Sequence, residues 1–419
     1  MSGGDWGGGG DGGGDWGGGE GASWGDGGSS GGDSFSETSS EGWLSRIGKA
    51  FMAIPIGLIL FALSFVVLSW NEGRAVHTAQ GLAEGKSGVV SVAPDKVDPA
   101  NSGKLVHVTG EATTTETLTD PQFALSARAL KLRRVVQMYQ WKERSETKTR
   151  KKLGGGEERV TTYNYDKGWA DARVDSSRFK RPDGHQNPDR WPIENWEVRA
   201  QVVTLGAFKL PSGLVDQIRE VEPLAVGEEG RDALPADLKD RAKLDAGRFY
   251  LGESPSDPQV GDVTVAFEQV RPQVVSLLSK QAGDSFEPYD TRAGTTIDRL
   301  QVGTATADQM FQQAEAENST LTWILRLVGF ILMAIGIMMV LGPLSVLADV
   351  VPFIGSIVGF GTGFLAFSVA AVLSLVTIAI AWVAYRPVVG ISILVVAGLA
   401  LFLFSRMARD RRPARPASA

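Results

Sequence analysis

The sequence predicts an α+β membrane protein: four transmembrane helices, one N-terminal and three C-terminal, with a large β-rich extracytoplasmic domain between the first and second. Three observations predict it. The C-terminal part holds three uncharged runs: twenty-two residues between Arg326 and Asp349, thirty-six between Asp349 and Arg386, and nineteen between Arg386 and Arg406. A further uncharged run of twenty-one residues fills Ala50–Trp70. Between these ends, residues 71–320 contain segments that alternate in the strand manner. At about 1.5 Å of rise per helical residue, each run can cross a hydrocarbon core about 30 Å thick.

The first 42 residues read as a disordered tail. Eighteen of the 51 glycines lie in residues 1–40, and Asp5-Trp6-Gly7 recurs as Asp15-Trp16-Gly17. Such a chain has high entropy and little apolar surface to offset it. Its structural reading is a solvated leader. The sharper reading makes the tryptophans stickers for a partner, and the tail's acids argue against an anionic membrane surface.

The first transmembrane helix is expected at 47–70. Arg46 and Lys49 precede its core, and Trp43 and Trp70 sit where interfacial aromatics belong. A membrane-exit motif follows directly: Trp70, Asn71, Glu72, Gly73, Arg74. Its polar groups either satisfy helix-terminal carbonyls or form a fixed Glu72–Arg74 contact that docks the domain on the bilayer.

Residues 71–320 are too many for a loop and form a domain. Lys104–Thr109 and Arg134–Lys142 alternate, and Gly154-Gly155-Gly156 separates the second from Arg159–Tyr165. That pattern is a long hairpin with an exposed basic tip at Lys148–Lys152. Asn195–Leu210, Arg248–Leu251, Asp262–Phe267 and Val274–Lys280 read as further strands, and Pro211–Arg219 and Pro235–Ala242 as short helices. Thr306-Ala307-Asp308-Gln309 fits a capping box, with Ala307, Met310, Phe311 and Ala314 at helical spacing behind it. The basic run around the hairpin tip invites a nucleic-acid reading. Glu143, Glu146, Glu157 and Glu158 interleave with it, so no nucleic-acid partner is expected.

The second span is expected at 323–347. Pro352 and the glycines at 355, 359, 361 and 363 make 350–363 an interfacial or re-entrant segment. The third span follows at 364–385, the fourth at 387–405, and a basic cytoplasmic tail at 406–419. Gly355, Gly359 and Gly363 recur every four residues and would form a smooth strip for helix packing or oligomerisation. Topology follows from the basic flanks Arg46 and Lys49 at one end and Arg406, Arg409, Arg411, Arg412 and Arg415 at the other. They place both termini in the cytosol and the domain outside it.

No catalytic, cofactor-binding or metal-ligating set is assigned. The chain has no cysteine, which excludes disulfides, zinc-thiolate sites and thiol nucleophiles, and only three histidines. It has no Walker loop, no G-x-S-x-G and no H-E-x-x-H. His185, with Asp183 and Asp189, is the best enzymatic candidate, and its structural reading is a loop brace. No acid or base lies inside the span cores, which argues against ion-coupled transport.

Several motifs fall in a telling order: Asn71-Glu72-Gly73-Arg74-Ala75-Val76, Leu130-Lys131-Leu132-Arg133-Arg134, Met138-Tyr139-Gln140-Trp141, Gly184-His185-Gln186-Asn187-Pro188, Gly261-Asp262-Val263 and Tyr385-Arg386-Pro387. In these and in its architecture the chain resembles the transmembrane protein 43 (LUMA) family over roughly Trp43–Ser405. The glycine-tryptophan tail suggests a bacterial member. The resemblance implies a self-associating multi-pass protein. Animal members occupy the endoplasmic reticulum and inner nuclear membrane and are linked to nuclear-envelope organisation through partners such as emerin and lamins. A bacterial member has no lamina, so what carries over is topology, oligomerisation and a role in membrane organisation, at the inner (plasma) membrane. The family supplies no catalytic residues. The expected function is therefore a non-enzymatic membrane scaffold, contacting the lipid bilayer, further copies of itself and other envelope proteins. A channel or lipid-conducting oligomer and an extracytoplasmic-domain enzyme are the alternatives.

Overall fold

The computed structural model describes residues 33–385. Three helices dominate it: α1 (Trp43–Gly88), α2 (Ala307–Ala348) and α3 (Pro352–Tyr385). Each is long and apolar enough to cross a membrane. The two expected C-terminal segments 387–405 and 406–419, with Arg406, Arg409, Arg411, Arg412 and Arg415, lie outside the described residues, as do 1–32.

A body of two main sheets lies mostly between α1 and α2, with one strand contributed from before α1. Its strands in chain order are β1 (Ser34–Glu41), β2 (Val90–Val92), β3 (Leu105–Thr113), β4 (Lys131–Lys151), β5 (Glu157–Ala170) and β6 (Trp196–Arg199). Next come β7 (Val203–Leu205), β8 (Phe208–Leu210), β9 (Glu222–Leu224), β10 (Ala242–Asp245) and β11 (Arg248–Leu251). Last are β12 (Val263–Val270), β13 (Gln273–Ala282), β14 (Ser285–Glu287) and β15 (Arg299–Val302). One sheet runs β1-β5-β4-β12-β11-β10, with β9 on β12 and β6 on β4. The other runs β8-β7-β3-β13-β14, with β15 on β13 and β2 parallel to β3.

Each sheet buries one apolar face. In the first, Val136, Met138, Phe249, Val265 and Phe267 pack with Phe123; in the second, Val106, Val108, Leu205, Phe208, Val275 and Leu277 pack together. A third cluster joins the body to the helices. There Leu82 of α1 and Met310, Phe311 and Ala314 of α2 pack on Leu105, Leu278 and Ile297. The stripe predicted behind Thr306 is thus spent on self-packing, and the Thr306–Gln309 capping box forms in both directions.

Four expectations need correction. The tail is not irregular throughout, because Ser34–Glu41 is a strand paired along Asn164–Glu157 of β5. Phe35 stacks near Tyr163, and the alternation Ser34-Phe35-Ser36-Glu37-Thr38 suits an edge. The first helix does not stop at 70: α1 continues to Gly88, so the domain expected from 71 begins as helix. Residues 350–363 are not a separate segment before a span at 364–385, because α3 is one helix from Pro352 to Tyr385. Pro352 opens that helix, where its missing N–H costs nothing. The second span expected at 323–347 lies inside α2. Lastly, the hairpin tip is not free, and its docking is described below.

Candidate functional site

The membrane-exit motif sits where α1 meets α2 and α3. Asn71 and Glu72 are buried, at 0% and 2% exposure, within an otherwise lipid-like bundle. The partner of Glu72 is Arg326 on α2, not Arg74. Arg326 Nε donates to Glu72 Oε1 at 2.6 Å, and Nη2 donates to Oε2 at 2.9 Å. Trp382 of α3 adds an indole N–H to Oε2 at 2.7 Å. The Arg326 guanidinium also lies over the rings of Trp323 and Trp382, at 4.8 and 5.7 Å. A bidentate, aromatic-flanked pair is the arrangement in which a buried charge is tolerated.

Arg74 turns to α2 as well. Its Nη1 donates to Asn318 Oδ1 (2.9 Å) and its Nη2 to Thr322 Oγ1 (3.0 Å), while Asn71 Nδ2 donates to the Thr322 carbonyl (3.0 Å). Asn318 Nδ2 closes the ring on the Ala75 carbonyl (3.0 Å). The motif therefore does not finish a helix; it clamps two helices that continue through it. Gly73 lets Tyr385 of α3 lie against α1: a Cβ there would displace the end of the Tyr385 ring. Trp70, half exposed, borders an open cavity of about 450 Å³ with Arg74, His77, Thr295 and Tyr385.

A second polar centre lies at the opposite end of the bundle. Asp349, 1% exposed, follows α2 and receives Arg46 Nη2 on Oδ2 and Lys151 Nζ on Oδ1, both at 2.6 Å. Arg46 also meets Glu157 (3.2 Å) and the Gly155 carbonyl (2.5 Å). The Gly154 N–H donates to the Val350 carbonyl (3.1 Å), and the Trp43 indole donates to that of Val346 (2.9 Å). The β4–β5 tip thus grips the far ends of α1 and α2 and the turn that precedes α3. Gly155, at φ +82°, lies against the Trp43 ring, where any side chain would collide.

Of the other singled-out residues, Lys49 pairs with Glu41 (2.9 Å). Gly355 abuts Asp349 and Gly359 abuts Ser345, so both serve the α2–α3 turn, while a Cβ on Gly363 would meet nothing within 4 Å among the described residues. His185 is buried in the body. Its Nδ1 donates to the Arg181 carbonyl (2.9 Å), its Nε2 lies 2.7 Å from Asp33 Oδ2, and its ring stacks on Tyr165 at 4.0 Å. Asp183 and Asp189 are exposed and not among its partners. Tyr165 donates to Glu143 and accepts from the Arg181 N–H; burial first, and that carboxylate second, push its hydroxyl up to about 12. Among the described residues no three His, Asp or Glu side chains converge as metal ligands.

Reading the sequence missed Arg326, Trp382, Asp349 and Lys151 as site residues. A signal existed: Arg326 and Asp349 are the lone charges that bound the second run, and isolated charges beside lipid-soluble segments need partners.

A family model described as Transmembrane protein 43 matches residues 138–387. The chain is similar to human transmembrane protein 43, 35% identical over 393 residues that cover 90% of this chain and 95% of that protein. It is 36% identical to the rat protein over 359 residues, covering 83% of this chain and 88% of the relative. A Drosophila melanogaster homolog is 29% identical over 384 residues, covering 89% and 97%. No solved structure matches.

Proposed function

The chain belongs to the transmembrane protein 43 family, and from that premise we propose that it is a non-enzymatic, self-associating membrane scaffold whose two-sheet body holds partners at a membrane surface. One observation carries the reading. The body is fused to the membrane helices through a continuous core, because α1 and α2 run unbroken from the bundle into the Leu82–Phe311 cluster. Such a joint fixes the body's orientation, which suits a platform more than a tethered catalyst. Self-association uses Gly363, the one glycine of the Gly355, Gly359 and Gly363 strip with no close neighbour among the described residues. A bacterial plasma membrane is its site.

The test is purification in mild detergent followed by mass measurement. A defined oligomer is expected. A strictly monomeric species that also turns over a substrate would remove the reading.

A further inference from the structure

The cavity beside the membrane-exit motif opens at headgroup depth. Trp70 of α1 lies within one helical turn of Glu72, Trp323 of α2 within one turn of Arg326, and Tyr385 of α3 within one turn of Trp382. Glu72, Arg326 and Trp382 meet one another, so the three aromatic side chains fall at one level of the bundle. All three are exposed. A girdle of exposed Trp and Tyr belongs in the interfacial layer of a bilayer. The uncharged run Ala50–Trp70 ends at the same level.

Its walls come from three places: Arg74, His77 and Thr78 on α1, the Ala293–Thr295 loop of the body, and Tyr385 on α3. The loop is fixed to α1. His77 Nδ1 lies 3.1 Å from the Ala293 carbonyl, and the Arg292 N–H donates to Glu84 Oε2 at 3.0 Å. The His77 ring meets the Tyr385 ring edge-on at 6.3 Å. At about 450 Å³ the space is of the size that takes a small molecule. Its charge is one-sided, because Arg74 lines it and no carboxylate does. Glu72, two residues away, is taken by Arg326 and Trp382. Arg74 is held by neutral oxygens of Asn318, Asn71 and Thr322, which fix the guanidinium without cancelling its charge. Its Nε has no acceptor among the described residues. A choline group would find the rings of Trp70 and Tyr385, but it would also meet Arg74 and no acid. A phosphate meets the opposite charge and the hydroxyls of Thr78 and Tyr385.

We infer that this cavity binds the phosphate group of an anionic phospholipid from the leaflet on the body's side. A basic pocket between membrane helices at headgroup level suits such a lipid. Val66, one turn below Trp70 on α1, is exposed and gives the acyl chains an apolar wall. Because the cavity joins α1, α3 and the body, a lipid seated there bridges all three. Inorganic phosphate carries the same group without the chains, and the test separates the two. The inference goes beyond scaffolding and does not depend on it, so a monomeric mass would leave it standing.

The full chain in mild detergent is titrated with dioleoylphosphatidylglycerol, dioleoylphosphatidylcholine or inorganic phosphate, and retained ligand is read by native mass spectrometry. Phosphatidylglycerol is expected to be held about fivefold more tightly than phosphatidylcholine, the effect of one unit charge at contact distance in a watery site. Inorganic phosphate alone is expected not to be retained. Arg74 belongs to the α1–α2 clamp, so the variants spare it. His77→Glu and Thr78→Glu each add a carboxylate to the wall, and each is expected to weaken phosphatidylglycerol about fivefold or more at an unchanged melting temperature. Ser356→Glu, exposed at the other end of α3, is expected to bind like the parent. Equal retention of the two lipids would overturn the proposal. So would a folded His77→Glu or Thr78→Glu protein that holds phosphatidylglycerol as the parent does, or an equal loss in Ser356→Glu. Inorganic phosphate held as tightly as phosphatidylglycerol would make the ligand a soluble anion and overturn the lipid assignment.

Discussion

Glu72 is the residue on which the three helices converge, since Arg326 of α2 and Trp382 of α3 both donate to it. Glu72→Gln leaves the Arg326 guanidinium buried without an opposite charge. Breaking one side of a buried pair costs about 3–5 kcal/mol, so the variant is expected to melt well below the parent in a detergent thermal-shift assay. An unchanged melting temperature would show that the pair is not shielded from water. Asp298 shows the opposite case. Burial raises its carboxyl pKa, and the hydrogen bond from Ser279 (2.7 Å) offsets that only in part. A carboxyl whose folded pKa is raised binds its proton more tightly folded than unfolded. Its contribution to stability therefore falls as pH rises from near 4, its ordinary range, through the raised value. Asp298→Asn keeps an acceptor for Ser279 and removes the charge. The variant is expected to gain stability relative to the parent as pH rises from 4 to 7, read as the difference between their melting temperatures. A gap that stays flat with pH would show the carboxyl to be unshifted.

At the scale of elements, the glycines separate packing from assembly. Gly57 of α1 and Gly336 of α2 bring the two backbones into contact: a Cβ on Gly336 would meet the Gly57 carbonyl at 2.7 Å and Phe61 N at 2.8 Å. Gly336→Leu is expected to force α1 and α2 apart and to lower stability by several kcal/mol, in line with overpacking at a backbone contact. Gly363→Leu places a Cβ where nothing lies within 4 Å among the described residues. It is expected to leave the melting temperature unchanged and to reduce the assembled mass by light scattering; an unchanged mass would move self-association to another surface. Much of this level was legible in the sequence. The strands Arg134–Lys142 and Arg159–Tyr165 announce themselves by alternation, and the Thr306 cap by its spacing to Gln309. The continuation of α1 was not legible, because Asn71, Glu72 and Gly73 have the composition of a helix end. Only their partners on α2 and α3, more than two hundred residues away, make that composition fit a helix interior. For α3 the same holds in reverse. Proline and four glycines suggest a break, yet Pro352 falls at the helix start, and Gly355 and Gly359 are accommodated by packing on Asp349 and Ser345.

For the whole molecule, three long apolar helices anchor a two-sheet body that is longer in chain than all three together. The full chain is expected to stay with the membrane pellet after an alkaline carbonate wash, checked by immunoblot, and recovery in the supernatant would contradict membrane integration. The placement of the bundle relative to the body was beyond reach of the sequence, since it depends on the long β4–β5 ribbon folding back to Asp349. Nothing in a single acid between two apolar runs says which lysine will find it. The length of α1 has a mechanical consequence. At 46 residues it is a rod of about 69 Å, and between Pro55 and Gly88 no proline interrupts it. Rocking such a rod by 10° about its middle would swing each tip by about 6 Å. Stretching or thinning the surrounding lipid would therefore be felt at the sheets as torque, and a load placed on the sheets would be returned to the lipid through the same lever.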